Sequence, residues 1–420
     1  MPNASRDQFS ANPHFLASLS GLMARQPIVV EHTLAAQDGS ILLRSGMTLQ
    51  EKHVQALPQH QLRTPLEASL ALPQFAGHRV LHERFRQLLE QHWLLQTLLE
   101  KPAHRHACLA VLEDLPLNHA LLVLLAMLEE KQQLGHSLLC CLISLGLAMR
   151  TGQSSALLEQ IALAALFHDI GELYQTPRQS KTADDSEWRV RLTHPLIGYR
   201  QMLQLGQHAQ LEAIALAILQ HHERLDGSGY PRREKEKQLG VAGQIIAVAD
   251  MTTQMLLHQT HAHQRLDIAL RIIPGEFHRP SVSLLSRLLR QQQATPVGDK
   301  AGNATAMLHD LLKHIGEITH LLLNLQEEKL GSSGAAVLQR CLSQFDGIQR
   351  SLFSTGMQGG HPLAQEDDLQ LEIMLVCQEV AWRLRNLGRD VSLSQDRLGP
   401  DDSMLFQDLS STLLASPVSH

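Results

Sequence analysis

Aromatic residues make up only 4% of this 420-residue chain. Sheets draw on aromatic and β-branched side chains, whereas the abundant Leu, Ala, Gln, Glu and Arg favour helix, so a sheet-dominated architecture is excluded. Cysteine is scarce and odd in number: Cys108, Cys140, Cys141, Cys341 and Cys377 include no C-x-x-C pair. That argues against a disulfide framework or a zinc ribbon, and for reduced thiols in a cytoplasmic protein. An excess of positive charge is also missing. Lys and Arg total 36 against 42 Asp and Glu, a net charge of -6, which leaves no electrostatic footprint for DNA. A small phosphate ligand needs local charge only. The longest apolar runs, such as residues 137–149, fall short of the roughly 18 to 20 residues of a membrane span. The first residues, MPNASRDQFSANPH, lack the basic head and apolar stretch of a secretory signal. The expectations are a cytoplasmic protein with no DNA partner and no membrane.

What is present divides the chain into segments. Residues 1–26 are polar and irregular, read as a flexible arm. IVVEHTLAAQDGSILLRSGMTL carries two β-leaning runs around QDGS, a hairpin signal, so 27–72 is expected to be a small β-containing module. Residues 73–130 read as a helical connector, and 131–290 as several helices broken by polar turns. QQQATPVGDKAGNAT, 291–305, reads as a linker. Three amphipathic helices then form a C-terminal bundle over 306–395, and 396–420 reads as a flexible tail. The fold class is mainly α.

Twenty-five histidines make any single one uninformative. Histidines beside carboxylates in successive helices are a better signal: His136, the pair His168 and Asp169, His194, the pair His221 and His222, and Asp250 at the end of an apolar run. Imidazole and carboxylate are ligand types for Fe, Mn or Zn. Adjacent residues on a helix point about 100° apart, so a His-Asp pair can serve a site wider than one ion. Two metals about 3.5 to 4 Å apart suit phosphoester displacement. Taken alone, His136 or His194 is more often structural, and the His309-Asp310 pair in HDLLKHIGEI has no partners nearby and reads as a solvated face. REKEK, 233–237, reads as an exposed loop.

The ordered pattern H, HD, H, HH and D, with HHERLDGSGYP at 221–231, resembles the HD-GYP family, bacterial metal-dependent phosphohydrolases within the HD superfamily. LFHDIGEL, THPLIGYRQML and IIAVADM agree with it over about residues 131–255, and DGSILLRSGMTL looks like a module often found upstream of such domains. The resemblance implies an all-helical domain and a signalling phosphodiesterase that opens cyclic di-GMP to pGpG or GMP. It implies two divalent transition metals, Fe or Mn, held by His136, His168, Asp169, His194, His221, His222 and Asp250. Asp169 would bridge them and a bridging hydroxide would attack phosphorus. Asp226, Gly227, Gly229, Tyr230 and Pro231 would form the substrate loop. Protein partners at that loop or at the C-terminal bundle, and a homodimer, are further expectations.

The chain also departs from the family. Gln132 replaces the glutamate of three-metal members, which points to two metals. Glu172 stands where a phosphate-holding lysine is usual and, placed four residues after His168, is expected to share its helix face. It is counted with Asp169 among the candidate catalytic residues. Thr253, Gln259 and Ala262 occupy places of an acid and two cations, leaving His258, His261 or Arg265 as candidates to compensate. Two alternatives follow: an impaired HD-GYP scaffold that senses a nucleotide or binds a protein, or a phosphohydrolase for another substrate.

Overall fold

The computed structural model describes residues 9–176, 185–205, 209–258, 261–292, 304–354 and 367–415. The chain is mainly α-helical, and its contacts divide it into two compact units, Met1–Leu257 and His258–His420.

The first unit opens with β1 (Phe9–Ser10) and α1 (Pro13–Met23). Part of the expected flexible arm is therefore ordered helix. Asn12 caps it by accepting from the backbone N–H groups of His14 and Phe15, Pro13 fits the first turn, and Phe15, Leu16, Leu19 and Leu22 are buried at helical spacing. Short strands follow, β2 (Val29–Val30), β3 (Leu34–Ala35), β4 (Ile41–Leu43), β5 (Gln61–Leu62) and β6 (Leu70–Ala71), with α2 (Glu51–Ala56) among them. They pair antiparallel as β1 with β5, β2 with β6 and β3 with β4. The β3–β4 hairpin is the one expected around QDGS: Asp38 Oδ1 accepts from the Ser40 N–H at 2.9 Å and its hydroxyl at 2.6 Å.

Helices α3 (Gly77–Gln91), α4 (Trp93–Leu98), α5 (Pro102–Glu113) and α6 (His119–Glu130) lead to α7 (Leu134–Arg150) and α8 (Ser155–Leu166). Nearly every side chain of α7 is buried, and its polar exceptions lie at its ends. After a 3-10 turn, Ile170–Tyr174, come α9 (Asp185–Arg191), α10 (His194–Leu205), α11 (Leu211–Gln220) and α12 (Val241–His258). Among the described residues no single helix is long and apolar enough to cross a membrane.

The second unit holds α13 (Ala262–Arg271), α14 (Arg279–Gln292), α15 (Ala304–Glu327), α16 (Ser332–Ser354), α17 (Asp367–Gln395) and α18 (Pro400–Leu414). The first two were read from sequence as the end of a 131–290 domain; α13 packs on α17, and α14 packs on α13. Arg383 of α17 is buried between Glu276 and Glu379 and donates to the Ala269 carbonyl at 2.9 Å, tying α17 to α13 and the turn after it. The expected flexible tail contains α18. Its Phe406, Leu409 and Leu413 are buried, Pro400 stands in its first turn, and Asp402 reaches the Gly331 N–H at 3.2 Å. Most of the expected linker lies outside the described residues. His309 and Asp310 are exposed on α15, as a solvated face requires.

Candidate metal centre

Five elements of the first unit bring the seven candidate ligands together. His136 lies in the first turn of α7, and His168 and Asp169 follow α8. His194 begins α10, His221 and His222 follow α11, and Asp250 sits in the middle of α12, where the sequence reading had put it at the end of an apolar run. The ligand atoms fall into two groups, Asp169, His194, His221 and His222 in one and His136, His168 and Asp250 in the other, each within 4.8 Å of one another. Asp169 joins the groups. Its Oδ1 is 3.3 Å from His194 Nε2 and 3.6 Å from His221 Nε2, and its Oδ2 is 3.1 Å from His168 Nε2 and 3.6 Å from His136 Nε2. Asp250 Oδ1 adds contacts to His136 at 3.1 Å and His168 at 3.6 Å, and Oδ2 lies 3.8 Å from His222 Nδ1.

Three histidines have their tautomers fixed. The Nδ1 atoms of His168, His194 and His221 lie 2.7, 2.6 and 2.6 Å from the carbonyls of Ala165, Arg191 and Ile218. A carbonyl only accepts, so each Nδ1 carries hydrogen and each neutral ring turns its Nε2 lone pair inward. Nε2 of His194 and His221 are 3.2 Å apart. Two imidazole nitrogens and a carboxylate oxygen converging there make a donor set that fits a cation. His168 Nε2 is buried and faces two carboxylate oxygens without a hydrogen bond to any described group. An inward nitrogen of that kind fits a metal ligand, so the donor set suits divalent ions of the imidazole- and carboxylate-binding class.

Electrostatics divide the same way. Burial opposes protonation of His168, but Asp169 and Asp250 outweigh it and hold the imidazole pKa well above its usual value. For His194 burial is again outweighed, by Asp169, and the pKa is raised. Burial lowers that of His221 and, with the neighbouring imidazoles His221 and His194, pushes that of His222 well down. Asp169 and Asp250 stay ionised despite burial, Asp169 through His168 and Asp250 through His136 and His168.

Two glycines allow the approach of backbones. A Cβ on Gly171 would lie 2.1 Å from the His194 carbonyl oxygen, and one on Gly229 2.4 Å from that of His222. In the turn after His222, Asp226 Oδ1 accepts from the Ser228 N–H at 2.9 Å, Tyr230 N–H donates to the His222 carbonyl at 3.1 Å, and the Tyr230 ring stacks on His222 with centroids 4.7 Å apart. Gly227 has a φ of 82°, in the left-handed region that a side chain resists. Pro231 follows Tyr230 through a cis bond.

Sequence reasoning missed the residues behind this turn. Glu223 accepts from the backbone N–H groups of Arg232 at 2.6 Å and Glu234 at 3.1 Å, and Gln220 donates to Glu234 Oε2 at 2.6 Å. REKEK is therefore only partly a free loop, because Glu234 is buried. The glutamate in HHE and the buried glutamine before it were the available signals.

Glu172 is near the ligands but not on an α-helix with them. Helix α8 stops at Leu166, and Glu172 lies in the 3-10 turn, where residues three apart eclipse, placing it over Asp169. Burial and then the charge of Asp169 raise its pKa, and Gln133 Nε2 donates to Glu172 Oε2 at 3.1 Å. Gln132 is exposed with a φ of 60° in the turn before α7. Thr253 is buried and donates to the Ala249 carbonyl at 2.8 Å. Arg265 is buried with Nε 3.7 Å from Glu379 Oε2. Gln259 and the His258 side chain lie outside the described residues.

Residues 123–275 match the HD domain family. The matched segment belongs to the HD-GYP family. Its relatives include a cyclic di-GMP phosphodiesterase of Thermotoga maritima, 33% identical over 32% of this chain and 39% of that protein. The cyclic di-GMP phosphodiesterase response regulator RpfG of Xanthomonas campestris is 34% identical over 26% of this chain and 29% of its own length. A 3'3'-cGAMP-specific phosphodiesterase of Vibrio cholerae is 31% identical over 27% and 25%. The chain thus aligns with well under half of each relative. An HD domain implies divalent metal binding, and the His/Asp groups of this HD-GYP segment supply suitable donors.

Proposed function

We propose that the HD-GYP segment is a two-metal phosphodiesterase acting on cyclic di-GMP and releasing pGpG or GMP. The observation that carries this reading is Asp169 joining two ligand groups, one carboxylate oxygen toward each. His194, His221 and His222 would hold one ion and His136, His168 and Asp250 the other, with Asp169 shared. When bound, such ions supply charge stabilisation at phosphoryl oxygens and a water nucleophile at neutral pH; Fe or Mn suits the donors. The side chains do the rest. His168, His194 and His221 keep their Nδ1–H on backbone carbonyls, which fixes the donor atoms. Asp169 and Asp250 supply the negative charge. His136 and Asp169 are the more open ligands, 19% and 17% exposed, so substrate enters on their side. The stacked Tyr230 and the Gly-rich turn wall the His222 side.

A second reading, a nucleotide-sensing or protein-binding scaffold, is favoured by Glu172. A buried carboxylate over Asp169 stands where a cation would grip phosphate. Similarity to a 3'3'-cGAMP-specific enzyme likewise supports a neighbouring cyclic dinucleotide as substrate. Metal analysis of chelator-free protein, with hydrolysis assays on both dinucleotides in Mn(II) or Fe(II), separates these. Two metals per chain with pGpG or GMP formed supports the enzyme. Two metals with binding but no turnover, in the parent and in Glu172→Lys alike, supports the scaffold. Absence of metal refutes both.

A further inference from the structure

The turn that carries Asp169 into Glu172 does not end in solvent. Its last residue, Tyr174, is held by the N-terminal module in three ways. The Tyr174 hydroxyl donates to Glu67 Oε1 at 2.8 Å, the Phe15 ring stacks on the Tyr174 ring with centroids 5.1 Å apart and planes 10° from parallel, and Asn12 Nδ2 donates to the Tyr174 carbonyl at 3.1 Å. Glu67 is 6% exposed, so this carboxylate meets the phenol inside the protein.

The other contacts of the turn run to the metal centre. Gly171 lies against the His194 backbone so closely that no side chain fits. Gln175, the next residue after Tyr174, donates to the Val190 carbonyl and to Thr193 Oγ1, both at 2.8 Å, and Thr193 immediately precedes His194. Residues 170–175 are thus a slab between two bodies. One end is fastened to the N-terminal module; the rest fixes the distance between Asp169 and His194, 3.3 Å between donor atoms.

We infer that Tyr174 and Glu67 are a positioning pair through which the N-terminal module sets the affinity of the metal centre. A buried hydrogen-bonded pair and an aromatic stack resist displacement, and a carboxylate left in that site without the phenol would lose a buried donor, which costs the local packing. Because the slab is short and carries Asp169 at its start, movement at Tyr174 changes the register of Asp169 against His194 and His221. The module around Glu67 then acts as the input of the domain: whatever loosens α1 or the Glu67 turn lowers metal occupancy. This inference rests on the two-metal reading.

The test is Mn(II) binding to the full chain by calorimetry, with melting temperatures measured in parallel. Tyr174→Phe should weaken Mn(II) binding by about 10-fold, the lower end of what loss of an outer-layer partner does to a metal site. Glu67→Ala should do the same. Glu67→Gln, which still accepts from the phenol, should keep the parental affinity. Leu112→Ala, a buried position near the end of α5 that belongs to neither α1 nor the Glu67 turn, controls for general loosening: it should lower the melting temperature without moving Mn(II) affinity. Parental affinity in Tyr174→Phe, or an equal loss in Leu112→Ala, overturns the positioning role and leaves the metal centre standing. A parent chain that takes up no Mn(II) or Fe(II) overturns the two-metal reading itself, and this inference with it.

Discussion

Replacing Gly171 by alanine tests whether the approach of the 3-10 turn to α10 holds the centre together. The added Cβ would sit 2.1 Å from the His194 carbonyl oxygen, 2.8 Å from its carbon and 2.9 Å from the His194 Cα. All three are backbone atoms, so no side chain can swing aside. Reaching even 3.0 Å from the oxygen needs a shift of about 0.9 Å. That shift moves either His194 or the turn that follows Asp169, and those two residues meet at 3.3 Å. Overpacking of this kind destabilises by roughly 1 to 3 kcal/mol. Misplacement by about 1 Å at a reacting centre lowers rates by about 100-fold. Metal content by mass spectrometry, melting temperature and hydrolysis rate in Mn(II) should all fall together in Gly171→Ala. Full metal content with a parental rate would refute the claim that this contact sets the Asp169–His194 geometry.

Three further predictions follow from the same structure. Asp169→Ala should lose both metals, because each carboxylate oxygen faces a different ligand group, whereas His222→Ala, whose ring belongs to the Asp169 group and comes no nearer than 3.8 Å to Asp250 of the other, should retain one; metal counts per chain decide it. Glu67→Gln should show a pH-dependent stability gain. Burial raises the Glu67 pKa above its unfolded value of about 4.3, so its contribution is fully present below that value and is lost as pH rises through the folded value. Urea unfolding should therefore show the variant gaining on the parent as pH rises toward neutrality, and a pH-independent difference would contradict the sign. In the second unit, Arg383→Ala should destabilise by up to about 3 to 5 kcal/mol, since buried Glu276 and Glu379 would lose the guanidinium between them, although Arg265 stays 3.7 Å from Glu379. Replacing all three by apolar residues should recover much of that loss in denaturant titrations.

Five of the seven candidate ligands sit in a local pattern, HD, HH or an acid in an apolar helix; His136 and His194 are lone histidines and were picked out only by their place in the ordered pattern that resembles the HD-GYP family. The hairpin around Asp38 was legible for the same reason: its turn chemistry is local. Helices α1 and α18 were not. Both hide their apolar spacing behind polar neighbours, and their signals, Asn12-Pro13 and Gly399-Pro400, also mark ordinary turns. The break after Leu166 was missed because His168, Asp169 and Glu172 have helical spacing; Gly171 packing on His194 is a tertiary demand that no spacing reveals. Glu67 and Tyr174 are 107 residues apart, and nothing local marks either as the partner of the other.

Holding metal and gripping phosphate are separate tasks, and this chain divides them unevenly. The seven candidate ligands come together, yet Thr253 is turned to its own helix, Arg265 lies beside Glu379, and Glu172 stands where the resemblance leads one to expect a phosphate-holding lysine. If the proposed two-metal reading holds, attraction for an anionic dinucleotide would come chiefly from the metal ions, less the charges of Asp169 and Asp250, with Glu172 opposing it whenever ionised. A like charge at this range, at an effective dielectric near 20, weakens binding by roughly 1 to 3 kcal/mol. Glu172→Gln removes the charge and keeps a partner for Gln133, so it should lower KM by about 5-fold or more while kcat stays near the parental value. Glu172→Lys should lower KM further, because it reverses the sign. Substrate titrations at constant metal occupancy read this directly. A KM unchanged in both variants would show that Glu172 places no charge on the substrate, and the weak-grip account of this site would have to be abandoned.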